Sequence, residues 1–244
     1  MTFCVSIKIK DGLVGIADTR ITSGLEQTTA RKVTIHKLGE RSLFLMTSGL
    51  RSVRDKAMTY FEEILEEEDS GYDKLYQVVN LFATQVRRVA AEDRQSLRES
   101  GLEFNLFSIV GGQLEKDKEH KLYLLYPEGN WVEVSESTPY FLIGESTYGK
   151  PILDRVLRYH SKMELALKLA YLAFDSTRIS AVDVDFPIDV VLYCQSTREL
   201  AHHRYHRKDL QHLPQWWQDR LKASVEALPR EWVHEVLSKL SQSG

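Results

Sequence analysis

Two blocks of strand-patterned segments, each followed by a pair of helix-patterned segments, constrain the fold of this chain more than any other feature of its 244 residues. Phe3, Val5, Ile7 and Ile9 alternate with Thr2, Cys4, Ser6, Lys8 and Lys10, the period of two that marks a half-buried strand. Asp11-Gly12 turns the chain, and Leu13 to Asp18 reads as a second, more apolar strand, so residues 2 to 18 form a hairpin. Lys32 to Leu38 and Ser42 to Gly49 form a further pair hinged at Gly39-Glu40. Helical periodicity then takes over, first through about Asp69 and, after a break at Gly71, from Tyr72 to Arg98.

Strand character returns in Phe104 to Val110, Lys121 to Tyr126, Trp131 to Val134 and, briefly, Phe141 to Gly144. A second helix pair follows, Pro151 to about His160 and Met163 to about Asp175, and Ile188 to Cys194 closes the sheet region. Each helix pair follows a strand group and needs a sheet face of its own, so the order predicts two stacked sheets with helices outside. Residues 1–196 then form one domain. Residues 197–244 form a polar, histidine-rich extension, with Pro214-Gln215-Trp216-Trp217 and a helix from Arg230 to Leu240, packed on the domain or on a neighbouring subunit.

With 43% hydrophobic and 27% charged residues the chain is an ordinary globular one, long enough for a sizeable core. Its 32 basic side chains against 35 acidic give a formal charge of -3, so no basic surplus argues for nucleic acid or an anionic membrane as partner. Two cysteines, Cys4 and Cys194, make no disulfide framework, and the start lacks the apolar run of a signal peptide. The expected setting is the cytoplasm. No run of eighteen apolar residues offers a membrane span.

The chemistry points to the first residues. Thr2 follows the initiator methionine, and a small second residue lets an aminopeptidase expose it. A threonine hydroxyl is a poor nucleophile, but a free α-amino group on the same residue titrates at about 7.7 to 8.0 and can take its proton. Such a site also needs a cation beside the hydroxyl and a carboxylate to hold that cation. Lys32 shares strand parity with Thr34 and His36, opposite Val33 and Ile35, and is a better candidate cation than Lys37. Asp18 reaches the face of Thr2 if the hairpin loop is Lys10-Asp11-Gly12, which pairs Ile9 with Leu13 and Asp18 with Cys4. A two-residue Asp11-Gly12 loop puts it on the face of Phe3 and Val5 instead, and the sequence permits either. Taken singly, Thr2 is a commonplace second residue, Asp18 a turn cap and Lys32 a solvated strand charge.

Thr2, Lys8-Ile9-Lys10-Asp11-Gly12, Ala17-Asp18-Thr19-Arg20, Arg31-Lys32-Val33 and Met46-Thr47-Ser48-Gly49, in this order and spacing, resemble the β-subunits of proteasomes over roughly residues 2 to 195. The Met-Thr start, Ile143-Gly144-Glu145-Ser146, Gly149 to Arg155 and Asp175-Ser176-Thr177 are similar to the bacterial Anbu group, the proposed ancestral β-subunit. The resemblance implies an α+β fold, the four-layer αββα sandwich of N-terminal nucleophile hydrolases. It implies a threonine-type endopeptidase in which Thr2 attacks an amide, Lys32 lowers its hydroxyl pKa, Asp18 holds Lys32 and the Gly49 N–H receives the oxyanion. A strand-to-helix turn accounts for Gly49 equally well. Asp175 matches the carboxylate that proteasomal subunits place at the terminal amine, with Ser146 and Ser180 as weaker matches. Glu145 stands where a small residue is usual, and Ser176 to Ser180 lack the usual glycine.

The implied substrate is a peptide or unfolded protein, the implied state a homo-oligomer in an open ring or helical arrangement, and no cofactor is implied. The rival readings are a catalytically weak scaffold subunit of the same fold and an N-terminal nucleophile amidase acting on a small molecule. His202, His203, His206 and His212 invite a metal reading, with His202 and His206 at helical spacing, but their neighbours Arg204, Arg207 and Lys208 favour a solvated or inter-subunit surface. The acidic run from Glu66 to Asp69 reads as a solvated helix end. Trp216, Trp217 and Trp232 are expected to pack the tail onto its own domain, with a subunit contact as second choice.

Overall fold

A computed structural model describes residues 2–23, 26–67 and 71–240 of the chain. The elements run β1 (Phe3–Ile9), β2 (Gly12–Asp18), β3 (Arg20–Ser23), β4 (Glu26–Thr29), β5 (Val33–Leu38), β6 (Arg41–Gly49), α1 (Arg51–Glu67) and α2 (Leu75–Glu99). They continue with β7 (Leu106–Gly112), β8 (Lys121–Leu125), β9 (Trp131–Glu133), β10 (Tyr140–Gly144), α3 (Lys150–Val156), α4 (Met163–Ser180), β11 (Ile188–Cys194), β12 (Leu200–Tyr205), α5 (His212–Glu226) and α6 (Glu231–Leu240). Two five-stranded antiparallel sheets result, β10-β1-β2-β11-β12 and β5-β6-β7-β8-β9, beside the small β3-β4 hairpin.

The sheets meet face to face through Cys4, Ala17, Val33, Met46, Ile109 and Val191. The other face of the second sheet buries Leu43, Leu45 and Val110 against α1 and α2, where Phe61 and Phe82 pack edge to face at 5.2 Å. The outer face of the first sheet takes α4, with Phe3 against Phe174 at 6.0 Å. This is the αββα sandwich expected from the strand and helix order. Residues through His206 form one compact unit, and residues from Arg207 form a second, helical one. No described helix is long and apolar enough to cross a membrane.

The first hairpin corrects the sequence reading. Ile9 pairs with Gly12 and Cys4 with Ala17, so the loop is Lys10-Asp11, and Asp18 lies level with Phe3 rather than opposite Cys4. The physical reason is tertiary: a Cβ on Gly12 (φ +155°) would stand 1.9 Å from the Tyr193 carbonyl oxygen of β11, so the glycine serves a close strand pairing rather than the turn.

Helix ends also move. The α3 helix stops at Val156 rather than near His160, whereas α4 runs past Asp175 to Ser180. Asp69, the expected end of the first long helix, and the end of the acidic run lie outside the described residues. His202 and His206 are not one helical turn apart: His202 and His203 sit on β12, where His202 and Arg204 both close on the buried Asp189 carboxylate of β11.

His36 on β5 is partly buried, 2.9 Å from the Thr34 hydroxyl and edge-on to Phe61 at 5.3 Å. Burial pushes its pKa down from 6.5 to about 4. The unfolded chain therefore binds a proton that the folded chain rejects between these values, so the contribution of His36 to stability is full above about 6.5 and is lost as pH falls toward 4. Denaturant titrations should show this loss as about 1–2 kcal/mol, allowing for solvent at a partly exposed ring. His36→Gln should flatten that limb; an unchanged limb would mean that the imidazole is not its source.

Candidate active site

The site is built where the first strand of one sheet meets the entrance of a strand in the other. Thr2 is half-buried and immediately precedes β1. Its peptide link to Phe3 is held at both ends: the Glu145 backbone N–H donates to the Thr2 carbonyl at 2.7 Å, and the Phe3 N–H donates to Asp18 Oδ1 at 2.7 Å. Gly144 (φ +83°) makes the first contact possible, because a Cβ there would lie 1.9 Å from the Thr2 carbonyl oxygen. Thr2 is thus oriented by the Glu145 N–H just after β10 and, through the following peptide, by a side chain of β2.

Lys32 Nζ donates to the same Asp18 Oδ1 at 2.7 Å, and the two residues are 4% and 0% exposed. Lys32 lies just before β5, and its carbonyl accepts the Thr47 N–H of β6 at 3.0 Å. Its backbone therefore belongs to the second sheet and its ammonium to the first, so the ion pair joins the two sheets. Burial raises the Asp18 pKa above the ordinary carboxylate value, while the Lys32 charge and hydrogen bond, with the Phe3 and Arg20 N–H groups, oppose the rise. Asp18 Oδ2 is buried without a hydrogen bond among the described residues. A buried pair of this kind is weak evidence for stability by itself, because desolvating two charges offsets most of their attraction. It does place one ammonium on the same carboxylate oxygen that holds the N–H of the residue after Thr2.

Gly49 ends β6 with φ +145°, and a Cβ there would meet the Asn105 carbonyl oxygen at 1.9 Å. The strand-to-helix turn reading therefore has a physical cause in the approach of the chain before β7. Ser146 follows the Gly144-Glu145 clamp, is partly buried, and lines a cavity of about 320 Å³ with Tyr140 and Lys150. Asp175 is 1% exposed within α4, and its Oδ1 accepts from Arg178 Nε at 2.9 Å and Nη2 at 2.7 Å. Ser180 ends α4 and is exposed.

The structure thus joins Lys32 to Asp18 and Asp18 to the N–H of the residue after Thr2, puts Gly49 on the strand that holds the Lys32 backbone, and leaves Asp175 engaged with Arg178. Arg178 and the Glu145 N–H were missed from the sequence. Continuing the helix beyond Asp175 would have revealed the first as an i, i+3 partner; no local signal marks the second. Of the free cysteines, Cys4 lies beside the site on β1, where burial raises its thiol pKa well above the usual range while the Lys32 charge opposes the rise, and Cys194 pairs with Gly12 at the opposite end of the sheet from Thr2.

Comparison with known proteins matches residues 2–190 to the model of a family described as proteasome subunit. No curated protein matches. An Anbu (Gly-1) mutant from Hyphomicrobium sp. strain MC1 is 32% identical with a TM-score of 0.84, over 93% of this chain and 98% of that one. Anbu (ancestral β-subunit) from Yersinia bercovieri is 29% identical with a TM-score of 0.84, over 93% of this chain and 98% of its own. Anbu from Pseudomonas aeruginosa, solved as a helical assembly, is 30% identical with a TM-score of 0.86, covering 93% and 97% of the two chains.

Proposed function

The chain belongs to the proteasome subunit family, in its Anbu (ancestral β-subunit) group, and from this we propose that it is a threonine-type endopeptidase subunit acting through Thr2. The observation that carries the reading is the buried Lys32–Asp18 pair, whose shared oxygen also holds the Phe3 N–H. The group needed to lower the hydroxyl pKa and the group that holds it are then both anchored beside the proposed nucleophile.

In the proposed reaction, removal of Met1 frees the Thr2 amine. The amine takes the hydroxyl proton as Oγ attacks the amide carbon, and Lys32 favours the developing alkoxide. The tetrahedral oxyanion is received by the Gly49 N–H. Its collapse breaks the C–N bond, the leaving nitrogen takes the proton back from the Thr2 ammonium, and an ester on Oγ remains. Water, deprotonated by the same amine, attacks that ester and releases the acid. Asp175, Ser146 and Ser180 are proposed to surround the amine. The substrate is a peptide or unfolded protein, and the subunit works in the cytoplasm within a homo-oligomer, open-ringed or helical.

One observation favours a second reading. Asp175 is engaged by Arg178, which ties up the carboxylate assigned to the amine and fits a weakly catalytic scaffold subunit. An electrophile directed at N-terminal threonine, followed by peptide mapping in a mass spectrometer, separates the two. Methionine-free protein should carry one adduct, on Thr2. Folded, methionine-free protein that takes none, or takes it elsewhere, would point to the scaffold.

A further inference from the structure

Strand β10 forms an edge of the first sheet, and that edge begins beside Thr2. Its register with β1 decides which backbone groups face outward. The Glu145 N–H donates to the Thr2 carbonyl at 2.7 Å and the Lys8 N–H to the Pro139 carbonyl at 2.8 Å. The hydrogen-bonded pairs of this antiparallel ladder are therefore Thr2 with Glu145, Cys4 with Ile143, Ser6 with Phe141 and Lys8 with Pro139. The residues between them turn their amides the other way. Leu142 and Gly144 thus direct N–H and C=O away from β1, with no partner strand beyond them among the described residues.

The cavity of about 320 Å³ that holds Ser146 lies along this edge. Phe141 shares a face of β10 with Ile143 and packs on the core between the sheets, whereas Tyr140 faces α3, where its hydroxyl accepts from Lys150 Nζ at 2.9 Å. Phe141 and Leu142, which have opposite parity, both line the cavity, so it wraps the edge rather than covering one face. Glu133 and Ser135 line it from the side of the second sheet, Ser146 and Lys150 from the side of α3. Its charges are already matched: Lys150 pairs with Asp154 at 3.1 Å and Glu133 with Lys121 at 2.8 Å. Outward N–H and C=O groups, hydroxyls and balanced charge suit an extended peptide main chain rather than an anion or a nucleic acid. The position selects the part of the peptide. Asp18 and Lys32 lie on the β2 side of Thr2, whereas β10 lies on the other, about 4.8 Å from β1. Leu142 stands three residues from Glu145, the residue level with Thr2, and so about 10 Å along the strand.

We propose that β10 binds the leaving segment of a peptide substrate as an added strand, with the residues about two to four positions past the scissile bond paired along Tyr140–Gly144 and hydrogen-bonded to Leu142. This rests on the reading of Thr2 as the nucleophile of a peptidase. Internally quenched peptides with one fixed acyl side and leaving segments of increasing length test it on methionine-free protein. Between one and four leaving residues kcat/KM should rise by at least about 10-fold and then level off, as two or three added backbone hydrogen bonds allow. Leu142→Pro removes an N–H that takes no part in the ladder, a place where an edge strand tolerates proline. It should bring the ratio of long to short substrates down to about 2 or less while the melting temperature holds. A rate that stays flat with length, or a ratio that Leu142→Pro leaves unchanged, would overturn the slot. Thr2→Ala protein gives a readout that needs no turnover: a hexapeptide library with benzoylphenylalanine at its third position, irradiated and mapped by mass spectrometry, should label residues 138–146. Labelling elsewhere, or none, would overturn the slot whatever the turnover. Labelling at 138–146 by a protein that cleaves no peptide of any length would instead sink the peptidase reading and leave the peptide slot standing.

Discussion

Thr2→Ala is expected to lower kcat/KM for peptide hydrolysis by at least about 10³-fold, a loss of some 4 kcal/mol in transition-state stabilisation. The substitution removes the attacking oxygen and little else. The contacts that orient residue 2 are made by its backbone carbonyl, to Glu145, and by the following N–H, to Asp18, and both survive in alanine. The melting temperature should therefore hold while activity disappears. Thr2→Ser keeps a hydroxyl on the same clamp and should keep measurable turnover, whereas protein retaining Met1 should be as inert as the alanine variant, because the amine that takes the proton is then an amide. Activity above a tenth of wild type in Thr2→Ala, measured with a fluorogenic peptide on material of verified N-terminus, would remove Thr2 from the mechanism.

Asp18→Ala is expected to cost about 3–5 kcal/mol of stability, because it strands the Lys32 ammonium in an apolar interior and leaves the Phe3 N–H without its acceptor. Few single changes in this chain should cost more, since Lys32 is 4% exposed and its ammonium has crossed from one sheet to the other to reach Asp18. The companion variant separates structure from chemistry. Asp18→Ala/Lys32→Met removes both charges, leaves only the Phe3 N–H unpaired and should recover part of the lost stability, yet remain inactive because nothing then lowers the Thr2 hydroxyl pKa. Chemical denaturation of the four members of this cycle gives the coupling energy directly. A single variant within 1 kcal/mol of wild type, or a double variant that regains turnover, would contradict the role given to the pair.

The layers of the fold were legible early because each rests on periodicity over many residues. Helical spacing in α2 records the one face that the helix buries, whereas the alternation in β1 predicts a half-buried strand and the structure buries both its faces, Cys4, Ser6 and Lys8 included, because β1 lies between α4 and the second sheet. Elements with little to bury were not legible. The β12 strand, Leu200 to Tyr205, reads as a polar histidine-rich tail because it is an edge strand, with His202 and Arg204 turned to a single buried carboxylate. The sequence marks α5 only by its tryptophans, because the helix buries no residue, and offers no periodic signal for the short β3 and β4 strands. The sequence pattern carries α4 to about Asp175; in the structure Arg178, three residues on, pairs with that carboxylate and the helix continues to Ser180.

The sequence alone determined which chemical groups the chain could bring to a site: a hydroxyl that can share its residue with a free amine, a lysine at the entrance of a strand, and a carboxylate at the end of another. Their spacing alone leaves their use open, and the resemblance to the family rests as well on Lys8-Ile9-Lys10-Asp11-Gly12 and Met46-Thr47-Ser48-Gly49. Only the tertiary structure decided how they meet. Asp18 reaches its partners from a register, Ile9 opposite Gly12, that neither loop weighed in the sequence provides, because the Tyr193 carbonyl closes on Gly12 and because Lys32 crosses from the second sheet to a carboxylate in the first. Parity describes which way a side chain leaves its own strand. It carries no information about a neighbouring strand's carbonyl or an ammonium on a facing sheet, and those long-range contacts place the charges.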